Sequence, residues 1–145
     1  MTLLDANVIL YSYNADAPEH ERMRRWLEAI VGTGETVGIP WVSLWAFLRI
    51  STNIRALRRP FSFEEAIAIV KHLVSRPEIT IVDPGPNHVD VLETVVRTSR
   101  ISGPSMTDAA LAAIAIEHNS ALASADRGFA RFRGLRWINP LEADA

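Results

Sequence analysis

Residues 105–126 read SMTDAALAAIAIEHNSALASAD. Ser105 and Asp108 open a helix whose body, Ala109–Ile116, is apolar on most faces. A second apolar run, Ala121–Ala125, follows and reads as a buried strand. Strands that are continuously apolar, rather than alternating, need cover on both faces, which a parallel sheet flanked by helices supplies.

The rest of the chain repeats this alternation. Thr2–Asp5 is predicted as a short strand, with Asp5 or Asn7 placed to cap the helix after it. Met23, Trp26, Leu27, Ile30 and Val31 recur at the spacing of an amphipathic helix over 17–31, ended by Gly32 and Gly34. Val37–Ile39 is predicted as a second strand stopped by Pro40. Trp41–Asn53 follows as a buried helix, in which Trp41, Trp45 and Phe47 are expected to belong to the core, with an interface as the alternative for any that is exposed. Ser62 and Glu65 form a capping box ahead of another apolar stripe. Ile79–Val82 is a strand closed by Pro84–Gly85–Pro86, Asn87 and Asp90 open a further helix, and Leu135–Ile138 is a last strand. This order specifies an α/β domain with a mainly parallel central sheet flanked by helices.

Length and composition fit one domain, 1–145. Of the 145 residues 48% are hydrophobic and 22% charged, as in soluble globular proteins. Cysteine is absent, which excludes a disulfide framework, a thiolate zinc site and a thiol nucleophile together. No apolar run approaches the ~20 residues of a membrane span. Met1–Leu10 lacks a basic leader and is interrupted by Asp5 and Asn7, so a cytoplasmic protein is expected. The net charge of −2 argues against a generally basic coat. Yet arginines cluster: Arg49, Arg55, Arg58 and Arg59 in one acid-free stretch, and Arg127, Arg131, Arg133 and Arg136 in another. Their planar forks suit phosphate oxygens, while a merely solvated face is the alternative.

Three aspartates have positions the fold interprets. Asp5 closes the first strand, Asp126 closes the strand Ala121–Ala125, and Asp108 lies in the first turn of the helix leading into that strand. In a parallel α/β sheet, helix N-termini and strand C-termini share one edge, the edge where such sheets bind ligands. Carboxylates gathered there repel one another unless neutralised, and a hard cation, Mg²⁺ or Mn²⁺, does so. A bound ion of this kind activates water and stabilises phosphoryl charge, the chemistry of a metal-dependent phosphodiesterase. Each aspartate also has a purely structural reading. Asp108 would complete a capping box with Ser105, Asp126 would cap a turn, and Asp5 would cap the first helix. His20, His72, His88 and His118 show no paired ligand spacing, and neither a Gly-rich phosphate loop nor a G-x-S-x-G elbow occurs.

Leu3–Val8 (LLDANV), Thr107–Ala112 (TDAALA) and Ser124–Phe129 (SADRGF), in this order, resemble the PIN-domain family, and within it VapC-type toxins of toxin–antitoxin pairs. The resemblance extends over nearly the whole chain, through Phe132–Pro140. It implies an α/β/α domain that binds Mg²⁺ or Mn²⁺ and cuts RNA of the tRNA or rRNA class, inhibiting translation. It also implies a homodimer and a cognate VapB-type antitoxin. Asp5, Asp108 and Asp126 match the family's metal-binding acids, and Asn7, Thr107 and Ser124 their polar neighbours. A further family acid, a Glu, is missing: Leu44 stands about where it is expected, and no Asp or Glu occurs between Glu35 and Glu64. One metal is therefore expected rather than two, with Ser43 or a water it holds filling part of the gap. Arg127 is expected to meet phosphate near the site, and Arg49, Arg55, Arg58 and Arg59 to hold the RNA backbone further out. Two other functions compete: a catalytically weakened RNA- or antitoxin-binding module, and a small metal-dependent phosphatase. The phosphatase would want D-x-D after the first strand, where Asp5-Ala6-Asn7 supplies one acid.

Overall fold

The computed structural model describes residues 1–142. In chain order the elements are β1 (Thr2–Leu4), α1 (Ala6–Tyr13), α2 (His20–Gly32), β2 (Val37–Pro40), α3 (Trp41–Ser51), α4 (Phe63–Ser75), β3 (Ile79–Val82), α5 (His88–Ser99), α6 (Met106–Glu117), β4 (Ala121–Ala123) and β5 (Trp137–Ile138). The five strands form one sheet in the order β3-β2-β1-β4-β5, and each pairing is parallel. The expected α/β architecture with a parallel sheet is present, and β1 lies at its centre between β2 and β4, all three fully buried.

Alternating side chains divide the sheet between two cores. Leu4, Val37, Ile39 and Ala123 face a core shared with α1, α2, α3 and α4. Leu3, Val82 and Leu122 face the other, filled by α5, by α6 and by Phe129 and Phe132. Helix α6 lies deepest: Ala109 and Leu111–Ala115 are all buried, because alanines let its backbone approach the sheet closely. Gly38 serves the same close packing within β2, since a Cβ there would collide with Leu3 and lie 2.8 Å from Val82 Cγ2.

Boundaries shift by one to three residues at most elements, as is usual at fraying ends. The Ser62–Glu65 capping box forms as the sequence requires. Helix α3 departs from expectation. Phe47 is buried, but Trp41 and Trp45 stand 41% and 62% exposed, so they lie outside the core. The run is apolar on too many faces for one core to cover, and Leu44 and Phe47 take the inward face. No helix among the described residues is long and apolar enough to cross a membrane.

Candidate active site

At the end of β1 the chain turns extended (φ −76°, ψ 161°) at Asp5, the N-cap of α1. Its Oδ1 accepts the Ala6 amide at 2.7 Å, and its Oδ2 accepts the Ser124 hydroxyl at 2.8 Å and the Asn7 amide at 3.2 Å. Because β4 is the neighbour of β1, the residue that follows β4 arrives directly beside Asp5. Ser124 is fully buried, and besides donating to Asp5 it accepts from Asn7 Nδ2 and the Asp126 amide, both at 3.0 Å. That uses the hydroxyl's one donor and both lone pairs. Asn7 is fixed in turn, its Oδ1 accepting the Ala125 amide at 3.0 Å. The carboxylate therefore has a single well-determined orientation. Asp5 does cap α1, but a cap does not need Ser124, one side chain 117 residues from Asn7 and 119 from Asp5 that bonds both.

Asp108 does not complete a capping box, for Ser105 makes no side-chain cap bond. Its carboxylate instead meets the Arg131 guanidinium at 3.2 Å. Asp126 caps the short 3₁₀ turn Arg127–Arg131, accepting the Gly128 amide at 2.8 Å. Asp5 and Asp108 share the wall of a pocket of about 210 Å³ with Asn7, Ser43, Ala46, Arg49 and Thr107. Asp126 is not on that wall, although its charge reaches both other acids. Among the described residues no three His, Asp or Glu side chains already converge as a metal cage.

Electrostatics set these carboxyls apart from surface acids. Burial pushes Asp5 above the usual carboxylate range; the bonds from Ser124 and the Ala6 amide oppose this, and repulsion from Asp108 and Asp126 adds to it. Asp108 is also raised, by burial first and then by Asp126, with Arg131 pulling it back. Ser43 also belongs to the lining, and its hydroxyl is buried without a hydrogen-bond partner. The carboxylates of Asp5 and Asp108 on this one pocket are hard oxygen donors, the kind that Mg²⁺ or Mn²⁺ takes.

Leu44 does not face this pocket. It is 1% exposed and packed in the core beside Phe47, while Ser43, Ala46 and Arg49 occupy the pocket side of α3. From α3 the pocket thus receives Ser43, Ala46 and Arg49, and no acid. Arg49 lies at the pocket wall, whereas Arg55 and Arg58 are exposed in the segment after α3, with no ion pair among the described residues. Arg59 forks onto Asp16 at 2.9 and 2.6 Å, and Arg127 is paired with Glu142. Arg131, which grips Asp108 and lies 4.8 Å over the Phe132 ring, had no signal in the sequence beyond its membership of a basic cluster. A larger groove, about 1020 Å³, sits at the other sheet edge near Glu78 and shares no residue with this pocket. Its Arg24 and Arg76 are engaged by Glu21, Glu28 and Glu78, so the acid pocket remains the better site.

The Ser124 hydroxyl carries a prediction. Ser124→Ala leaves Asp5 Oδ2, Asn7 and the Asp126 amide each short of one bond. Loss of such an orienting partner costs about 10–100-fold in metal affinity or activity. Titration with Mn²⁺ should show that weakening with the fold intact by circular dichroism.

The PIN-domain family profile matches residues 2–135. Ribonuclease VapC37 of Mycobacterium tuberculosis is 36% identical over 140 residues, 97% of each chain. VapC ribonuclease Mb2897 of Mycobacterium bovis is 38% identical over 142 residues, covering 98% of this chain and 97% of its own. Among solved structures, VapBC2 from Rickettsia felis, bound to a DNA fragment from its promoter, matches with a TM-score of 0.71 at 18% identity, over 95% of this chain and 97% of that one.

Proposed function

This chain belongs to the PIN-domain family, among its VapC-type members, and on that premise we propose that it is a metal-dependent endoribonuclease toxin neutralised by a cognate antitoxin. The observation that carries the proposal is Asp5, oriented by Ser124 and Asn7 and sharing one small pocket with Asp108. The VapC ribonucleases it resembles over nearly full length support the same reading.

Asp5, Asp108 and Asp126 would hold Mg²⁺ or Mn²⁺, one ion rather than two, because α3 presents Ser43 and Ala46 to the pocket and no acid. When bound, the ion lowers the pKa of its water and stabilises charge on the phosphoryl group. The remaining work falls to the protein. Ser124 and Asn7 keep Asp5 in one rotamer, Thr107 lines the wall beside Asp108, and Arg131 restrains Asp108 until substrate arrives. Arg49 contacts the phosphodiester at the pocket mouth, and Arg127 joins it by exchanging Glu142 for phosphate. Arg55, Arg58 and Arg59 hold the backbone further out. Water attacks phosphorus and the ribose 3′-oxygen leaves, giving 5′-phosphate and 3′-hydroxyl ends. The substrate is RNA of the tRNA or rRNA class, and its cleavage inhibits translation. The chain acts as a homodimer, and its VapB-type antitoxin blocks the site with an arginine that meets the aspartates in place of the cation.

The test is cleavage of total tRNA and rRNA by antitoxin-free protein in Mg²⁺, in Mn²⁺ and in EDTA, with product ends mapped. Discrete cuts with 5′-phosphate ends, absent in EDTA, are expected. A 2′,3′-cyclic phosphate would mean that the ribose hydroxyl attacks, and would reject the mechanism. Salt-dependent RNA binding without cleavage in either metal would favour the binding module, which the acid-free pocket face of α3 keeps in contention.

Metal binding has its own readout. A ligand that binds only the folded state stabilises it by about 2.7 kcal/mol at 100 times its dissociation constant. Mg²⁺ should therefore raise the melting temperature of the wild type, and calorimetric titration with Mn²⁺ should give one ion per chain. No shift at millimolar metal, or two ions bound, would contradict the proposed site.

A further inference from the structure

Trp41 and Trp45 are the residues of α3 that the fold leaves unexplained. Their rings stack on each other, centroids 6.3 Å apart and planes inclined by 23°, rather than on the core. They stand 41% and 62% exposed, a large apolar area for two adjacent residues to leave in water. Arg49 continues the same stripe, four residues beyond Trp45, and it also lines the acid pocket. One helix face thus runs from two exposed indoles, through a cation, to the wall that carries Asp5 and Asp108.

We propose that Trp41 and Trp45 form a base-stacking platform for single-stranded RNA, with Arg49 leading the strand from that platform into the acid pocket. This rests on the ribonuclease reading above and names a surface by which that site takes unpaired rather than paired RNA. Unpaired bases stack on exposed aromatic faces whatever their identity, and a neighbouring cation tracks the backbone between them. Charge selects this occupant over a second copy of the chain. Arg49 and Arg55 have no ion pair among the described residues, and no Asp or Glu occurs between Glu35 and Glu64. A two-fold contact through the stripe would set Arg49 of two copies together without a carboxylate from the same segment, whereas RNA neutralises it.

The experiment uses full-length Asp5→Asn protein, so that binding is read without cleavage, and a short labelled single-stranded RNA of mixed sequence. Affinity is measured by fluorescence anisotropy over a range of salt, with sedimentation velocity alongside. Trp45→Ala and Trp41→Ala are each expected to weaken binding on the order of tenfold, and Trp45→Phe to restore most of it. The slope of log affinity against log salt stays unchanged in these variants, because no phosphate contact is lost. Arg49→Gln instead flattens it by about one. Unchanged affinity in Trp45→Ala overturns the platform, as does a loss that only follows dissociation of a dimer, which would make the stripe a protein interface. Failure of Asp5→Asn to bind the RNA at all overturns it too, once repeated in Asp108→Asn to exclude a folding defect. If the wild type cuts no RNA but Trp45→Ala still loses single-strand binding, the nuclease reading fails and the platform stands.

Discussion

Asp5→Asn is expected to lower RNA cleavage by more than about 100-fold, beyond the 10–100-fold cost of losing a residue that merely orients a metal ligand. Asn is as good an N-cap as Asp, so the Ala6 amide keeps an acceptor and α1 keeps its start. What disappears is the charge that faces Asp108 across the pocket. The metal-induced rise in melting temperature should vanish with it.

The same substitution changes the pH dependence of stability in the metal-free protein. Burial raises the Asp5 pKa in the folded state above its unfolded value, so the folded protein holds this proton more tightly. Below the unfolded pKa the group is protonated in both states and costs nothing. As pH rises through the folded pKa the carboxyl must ionise in a buried site, and stability falls to a plateau. Urea midpoints of the wild type should therefore decline from acidic towards neutral pH by an amount that Asp5→Asn reduces. An unchanged difference between the two proteins across that range would show that Asp5 ionises as easily as a surface acid. Mg²⁺ should restore the wild type's lost stability.

The second large effect concerns the acid that is missing. Leu44→Glu would be the obvious repair on sequence grounds, and it is expected to damage the protein instead. Leu44 is 1% exposed within the core of α1, α3 and α4. Removing its packing and burying a carboxyl without a partner should destabilise the fold by about 4 kcal/mol or more. For a chain of this size that lowers the melting temperature by roughly 10 °C or more. Ala46→Glu places the same group on the pocket wall, where a cation can answer it. It should melt close to the wild type and bind Mn²⁺ more tightly. Equal melting temperatures for the two variants would mean that α3 is turned differently from the structure described.

Much of the fold was legible because local rules and burial agree. The runs at 79–82 and 121–123 are strands bounded by turn residues: 121–123 is apolar throughout, and Thr80 is the one polar residue of 79–82, which forms an edge strand. Ser62 and Glu65 marked the start of α4 to the residue, because a capping box is a purely local arrangement. The aspartates were legible as a group, because strand ends and helix starts share an edge in any parallel sheet. Asp108 shows the limit: its distance from Ser105 satisfied the capping-box pattern, yet its partner is Arg131, brought in from the turn after β4.

The sequence by itself determined the alternation of strands and helices, the sheet edge to which Asp5, Asp108 and Asp126 belong, and the family to which the chain belongs. Only the tertiary structure decided that Ser124 and Asn7 orient Asp5, that Arg131 holds Asp108, that Ser43 and Ala46 rather than Leu44 face the pocket, and that Trp41 and Trp45 stand in solvent. The physical reason lies in α3. A helix that is apolar on most faces carries no stripe to fix its rotation about its own axis. Its phase is set by how Leu44 and Phe47 fill the core against α1 and α4, and that packing assigns every other side chain of the helix to pocket or to water.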